Sequence, residues 1–225
     1  VNAGADQVLC GAVSSVTLSG NVTGSTGGTW TTSGTGTFSP NANTLNASYA
    51  PSAADKTAGN VTLTLTTTGN GLCQAIKDQV VLSFTTVPTV NAGPDQVVCA
   101  NDLPIKLAGS GSAATWTGGS GTFTPNTNTL NGTYMPSASE ITSGTVTLTL
   151  TTIASGACPV VSDQVKITIP AAPTANAGAD FIMCGNLTNY TLNGTINSAA
   201  TGGFWTTTGT GSFTPNASTL NATYT

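Results

Sequence analysis

A heptapeptide returns three times along the chain. Val1-Asn2-Ala3-Gly4-Ala5-Asp6-Gln7 comes back as Val90-Asn91-Ala92-Gly93-Pro94-Asp95-Gln96, and again as Ala175-Asn176-Ala177-Gly178-Ala179-Asp180-Phe181. Trp30, Trp116 and Trp205 follow at matching places, as do Tyr49, Tyr134 and Tyr224. Cys10, Cys99 and Cys184 recur 89 and 85 residues apart. Such a period is too long for a solenoid turn and suits a small independent domain. A string of similar beads works through reach and surface number, with no need for one buried active site.

The drift in the period locates framework and loop. From first cysteine to tryptophan the gap is 20, 17 and 21 residues, whereas from Phe38, Phe123 and Phe213 to the next tyrosine it is always 11. Variable length marks a surface loop. The repeats are placed at 1–89, 90–174 and 175–225. The third has no counterpart of 61–85 or 146–169. A sandwich without its last strands would expose a sheet edge and half a core. The segment is therefore expected to be an excerpt of a longer protein, or a unit completed by another chain. The junctions 86–89 and 170–174 carry Pro88, Pro170 and Pro173, which favours semi-rigid spacing.

Val61-Thr62-Leu63-Thr64-Leu65-Thr66 alternates aliphatic and hydroxyl side chains, and Val146-Thr147-Leu148-Thr149-Leu150-Thr151 repeats the pattern. Period two places aliphatics on one face of a strand and β-branched hydroxyls on the other. No stretch shows helical spacing, and Gly and Asn punctuate the chain at short intervals. This reads as all-β, one small sandwich per repeat, and each core would be thin.

Charge excludes several partners. The net charge is −4, with no histidine and no arginine. Nucleic acid and anionic membrane surfaces both call for clustered Lys or Arg. No apolar run approaches the roughly 20 residues that span a bilayer, so direct membrane insertion is not expected. No signal peptide is visible.

Five cysteines make an odd count, which the repeat explains. Cys10 with Cys73, and Cys99 with Cys158, each fall inside one repeat, and Cys184 is a half-cystine whose partner would lie beyond Thr225. One bridge within each domain is the simplest reading. Closing such loops would stabilise each bead by roughly 4 kcal/mol through chain entropy, and would imply an oxidising compartment. Two cysteines per repeat without histidine cannot make a four-ligand zinc site. The Cys-Trp-Cys order is that of an immunoglobulin domain, but the first cysteine comes early. Gly71 or Gly156 stands where the tyrosine-corner residue would be.

Catalytic sets are hard to build. Without histidine no usual serine or cysteine triad forms. Asp6, Asp95 and Asp180 are equivalent, as are Asp55 with Glu140 and Asp78 with Asp163, and only Asp102 is unmatched. Acids at repeat positions behave as scaffold, so no enzyme is expected. Calcium is a better rival than catalysis, at Asp6, Asp78, Asp95 and Asp163, although Ca²⁺ wants six to eight oxygens and two or three acids per repeat are few. The competing role is capping a local turn. Gly34-Thr35-Gly36-Thr37-Phe38 and its two counterparts precede a turn and not a helix, so they read as a hairpin or bulge with Phe as core filler. One Trp per repeat is expected in the core, with sugar stacking as the alternative. Nine Asn-x-Ser/Thr sequons occur, Asn46, Asn131, Asn186 and Asn221 among them; they permit glycosylation in a eukaryote.

The segment from Asn91 to Val98, then Ile105-Lys106-Leu107-Ala108-Gly109-Ser110-Gly111-Ser112 and Trp116, resembles the opening of PKD-type immunoglobulin-like domains. Ala108 stands where that family often has Asp, and the cysteine pair is an addition. The run from Trp116 to Pro136 and its counterparts is similar to tandem repeats of very large surface proteins of gliding and other Bacteroidetes. The resemblance implies export by type IX secretion, a cell-surface location, and a role in adhesion or gliding. The implied partners are neighbouring repeats, surface polysaccharide or other adhesin chains. On these grounds the chain is expected to be a structural stalk. The alternatives are a carbohydrate-binding accessory module of a secreted hydrolase, and a filament subunit assembling by strand exchange.

Overall fold

The computed structural model describes residues 1–225. The first repeat carries β1 (Gln7–Cys10), β2 (Val16–Thr17), β3 (Gly27–Thr32), β4 (Thr37–Ser39), β5 (Ser48–Ala50), α1 (Ala53–Ala58), β6 (Asn60–Thr68) and β7 (Lys77–Thr85). The second carries β8 (Val90–Asn91), β9 (Gln96–Val97), β10 (Ile105–Lys106), β11 (Ser110–Gly111), β12 (Ala114–Thr117), β13 (Thr122–Thr124), β14 (Thr133–Met135), α2 (Ala138–Ser143), β15 (Thr145–Thr152) and β16 (Ser162–Thr168). The third carries β17 (Ala175–Asn176), β18 (Tyr190–Thr191), β19 (Thr195–Ile196), β20 (Phe213–Thr214) and β21 (Thr223–Tyr224).

In the first repeat a sheet ordered β1-β7-β6-β3 faces one ordered β2-β5-β4. β1 runs parallel to β7, with Gln7 opposite Leu82 and Cys10 opposite Thr85. Three strands packed on four, the first beside the last, is the immunoglobulin-like arrangement. The alternating Thr strand behaves as its period demands. Val61, Leu63 and Leu65 of β6 are buried, and Trp30 of β3 pairs directly with Leu65. Val16 and Tyr49 close the core from the opposite sheet. Burying each Leu is worth about 1.5–3 kcal/mol. The second repeat has sheets β12-β15-β16-β9 and β10-β14-β13, and the third has β18-β21-β20.

Two short helices depart from the expectation that no helical stretch exists. Neither rests on hydrophobic periodicity; both are set by their ends. Ser52 caps α1 and Asp55 returns the bond in a capping box, while Gly59 closes it at φ 82°. Ser137, Glu140 and Gly144 do the same for α2. Reciprocal capping satisfies backbone donors that a six-residue helix would otherwise leave orphaned.

The chain gathers into two compact units that cut across the sequence repeats. The first joins Val1–Ala92 to Gly109–Trp116 and Leu150–Asp163; the second holds Gly93–Ala108, Thr117–Thr149 and Gln164–Thr225. Within the first unit the 86–89 junction is tied down, since Thr89 N–H donates to Ser112 Oγ and Ser112 N–H donates to the Thr89 carbonyl. Within the second, Thr174 and Asn197 repeat that clamp.

Candidate functional site: carboxylate braces and a cystine between repeats

The Gly-x-Gly-x-Phe turn and the capping box converge on one buried carboxylate. Asp55 Oδ1 accepts from Thr35 N–H at 2.9 Å, and Oδ2 accepts from Gly36 N–H at 3.1 Å, Tyr49 Oη–H at 2.7 Å and Ser52 N–H at 3.0 Å. The turn needs glycine because it wraps this group: a Cβ on Gly34 would run into the Asp55 carboxylate, and one on Gly36 would meet the Tyr49 ring at 2.5 Å. In the second repeat Glu140 accepts from Ser120 N–H, Ser137 N–H and the Tyr134 hydroxyl, at 2.7, 2.8 and 2.9 Å. There Gly121 N–H turns to the tyrosine oxygen at 2.8 Å. One extra methylene thus redistributes the donors without emptying the site. Phe38 packs on Tyr49 at 5.1 Å, Phe123 on Tyr134 at 4.8 Å and Phe213 on Tyr224 at 5.2 Å between ring centroids.

Burial pushes the Asp55 carboxyl up, but the donated bonds from Thr35, Tyr49 and Ser52 together prevail and hold it below its ordinary range. Glu140 is lowered in the same way, against burial, by Ser137, Ser120 and Tyr134. Burial and then the neighbouring carboxylate raise Tyr134 to about 12, with Gly121 N–H opposing. Tyr49 is also raised, chiefly by burial. Asp55 is 3 % exposed. A carboxylate kept ionised and ringed by fixed donors is a brace joining a turn, a helix start and a core tyrosine.

The calcium candidates are engaged elsewhere. Asp6 Oδ1 accepts from Val81 N–H and Asp95 Oδ1 from Lys166 N–H, each at 2.8 Å. Asp78 Oδ2 accepts from Ala3 N–H and Asp163 Oδ2 from Ala92 N–H, again at 2.8 Å. The acids are therefore not local turn caps. They work in reciprocal pairs, stapling the opening segment of the first and second repeats to the last strand of each. The Ala3 and Gln79 N–H groups lower Asp78. No group of three or more His, Cys, Asp or Glu side chains comes together to hold a metal ion. The repeated glycine of this opening segment sits at φ 91°, 86° and 91° at Gly4, Gly93 and Gly178, a region that strains any other residue.

The cysteines pair differently from the within-repeat expectation. Cys10 bonds Cys158, 148 residues away, with Cα atoms 4.6 Å apart. Cys73, Cys99 and Cys184 are free and exposed. The reason is strand direction. Because β1 is parallel to β7, Cys10 lies beside Thr85 at the end of β7, whereas Cys73 lies in the loop before Lys77 at its start. Eight residues of extended strand separate the two ends by about 26 Å, far beyond what a disulfide spans. The same holds for Cys99, past Thr168 at the end of β16, and Cys158, before its start. Around the bond, Thr85 Oγ1 lies 3.4 Å from Cys158 Sγ and donates to the Leu9 carbonyl at 3.2 Å.

Trp30 and Trp116 are 1 % and 0 % exposed, so neither offers a face to a sugar. Trp30 Nε1–H donates to the Leu45 carbonyl and Trp205 Nε1–H to its counterpart, Leu220. Trp205 is partly exposed and lines a cavity of about 240 Å³ with Ile196 and Phe204. Sequence reasoning missed the brace as a unit. Its signals were the Ser-x-x-Asp and Ser-x-x-Glu boxes, read together with the Gly-x-Gly-x-Phe turn and the tyrosine.

No protein-family model matches the sequence, and comparison with curated proteins finds no match. Among solved structures the chain is similar to mouse cadherin-23 EC22–24, at 14 % identity and a TM-score of 0.43, covering all of this chain and 85 % of that one. It is also similar to an E-to-A variant of titin domains I67–I69, at 12 % identity and a TM-score of 0.46, covering 99 % and 83 %.

Proposed function

We propose that the chain is a load-bearing stretch of a large extracellular adhesin: a stalk of immunoglobulin-like beads at 1–89, 90–174 and 175–225, without catalytic activity. The observation that carries this is the Cys10–Cys158 bond. Tension applied at Val1 and Thr225 enters at Cys10, crosses the cystine and leaves at Cys158. All residues between them are bypassed, so β2 to β7 of the first bead bear no end-to-end load and only β1 lies on the load path. The carboxylate braces add local stiffness at the α1 and α2 ends of the beads. A stable cystine belongs to an oxidising location, and no helix is long and apolar enough to cross a membrane. The repeat resemblance supports a bacterial cell-surface setting, with gliding or attachment as the process served and type IX secretion as the route. Neighbouring repeats are the immediate partners, and surface polysaccharide or other adhesin chains the distant ones.

Single-molecule stretching tests the reading. The bridged loop spans 148 residues, which fully extended reach about 500 Å. Oxidised molecules should withhold that length and reduced molecules should release it. Equal extension with and without reductant would refute the load-bearing role of the bridge.

A further inference from the structure

We infer that the Cys10–Cys158 bond is one rung of a disulfide ladder, in which the first cysteine of each repeat bonds the loop cysteine of the next. Cys73 and Cys99 are then the half-rungs facing like repeats on either side. The inference rests on the tandem-repeat reading but not on adhesion.

Both halves of the bond recur with their settings intact. On the donor side, Gly11 N–H bonds the Thr85 carbonyl at 2.9 Å and Ala100 N–H bonds that of Pro170 at 3.0 Å, so Cys99 leaves its sheet as Cys10 does. The carbonyls of Cys10, Cys99 and Cys184 each accept from the third residue onward, Val13, Asp102 and Leu187, all at 2.9 Å. On the acceptor side, Cys73 and Cys158 each end a Gly-x-Cys loop, with Gly71 at φ 61° and Gly156 at φ 59°. Each loop is closed alike, by Ile76 N–H on Thr67 Oγ1 and by Val161 N–H on Thr152 Oγ1, both at 3.0 Å.

The two loops differ in what covers them. Gly156 lies so close against Thr85 that a Cβ there would run into its methyl group. At Gly71 a Cβ would meet nothing, Leu72 is fully open and Cys73 is exposed. Beside Cys73 lies a groove of about 190 Å³ lined by Thr23, Ser25, Thr67 and Asn70. The loop surface that the end of a preceding repeat covers at Cys158 is exposed at Cys73. The partner that fits it is a segment like Gln7–Cys10 with the Thr85 strand end beside it.

Each rung forms by thiol–disulfide exchange. A cysteine thiolate attacks the disulfide of an oxidant, and one oxidant thiol departs. The second cysteine then displaces the other, so two protein thiols give one cystine and the oxidant leaves as two thiols. Because Cys99 lies inside the Cys10–Cys158 loop, successive rungs would overlap and leave no repeat outside a covalent bypass.

The test is disulfide mapping of the whole protein from its source, with free thiols blocked by N-ethylmaleimide before digestion. Cys73 should appear linked to a first-cysteine peptide of a like repeat, and Cys99 to a Gly-x-Cys peptide, neither labelled until reduction. The 225-residue chain alone should show Cys10–Cys158 with adducts at Cys73, Cys99 and Cys184. Cys10–Cys73 or Cys99–Cys158 peptides, or maleimide on Cys73 or Cys99 in the whole protein, would overturn the ladder. Failure of the stretching experiment with this map intact would remove the load-bearing reading alone.

Discussion

Replacing Asp55 by alanine removes the acceptor of four hydrogen bonds at once. Three donors are backbone N–H groups of half-buried surroundings, where water replaces part of what is lost, at about 1 kcal/mol each. The fourth is the Tyr49 hydroxyl, fully buried but able to keep Thr32 Oγ1 at 2.9 Å as a partner. It adds about 1 kcal/mol. The loss is therefore about 4 kcal/mol for Asp55→Ala. Asp55→Asn keeps the shape and can keep the three bonds on Oδ2. It gives up the Thr35 bond and the charge, about 1–2 kcal/mol. Hydrogen exchange of the Leu63 and Leu65 amides reads the local opening free energy of β6, without assuming that the array unfolds in one step. Asp55 is no brace if the alanine variant protects these amides to within about 1 kcal/mol of the parent, or if asparagine costs as much as alanine.

The depressed Asp55 and Glu140 set the acid limb. Their folded pKa lies below the unfolded one, so the stabilisation is present above the usual carboxylate range near pH 4 and is lost as pH falls through the folded values; an Asp55→Asn, Glu140→Gln double variant should flatten this limb in an acid melting series. Tyr134 acts oppositely, its contribution complete below about pH 10 and lost as pH rises toward about 12; Tyr134→Phe should weaken the alkaline transition seen by near-ultraviolet circular dichroism. Reducing Cys10–Cys158 removes a 148-residue closed loop, worth about 5 kcal/mol by chain entropy, so a reductant should lower the melting temperature of the parent and leave a Cys10→Ser, Cys158→Ser variant unmoved. Gly156→Ala and Gly71→Ala impose the same backbone strain, yet only the first drives a methyl into Thr85; thiol labelling should show Cys10 and Cys158 more reducible in the first variant only.

Period two in the Val-Thr-Leu-Thr-Leu-Thr strands revealed which side chains enter the core, because that rule is local: Val61, Leu63 and Leu65 had to share a face, and they do. The repeat also marked Asp55 and Glu140 as equivalent scaffold. Their partnership with Tyr49 and Tyr134 was not legible, since it depends on a turn some 20 residues upstream folding over a helix start. The two helices escaped notice for a related reason, being defined by caps and not by a hydrophobic stripe.

What the sequence determined by itself was the repetition, the strand faces and the supply of cysteines, all properties that survive when each segment is read alone. Which cysteine meets which was decided only in three dimensions. Cys73 follows Cys10 in the same repeat, but the parallel pairing of β1 with β7 sends them to opposite ends of one strand. The following repeat brings Cys158 to the end where Cys10 waits. Strand direction within a sheet is a long-range fact, set by which edge the first strand joins, and no spacing of residues along the chain encodes it.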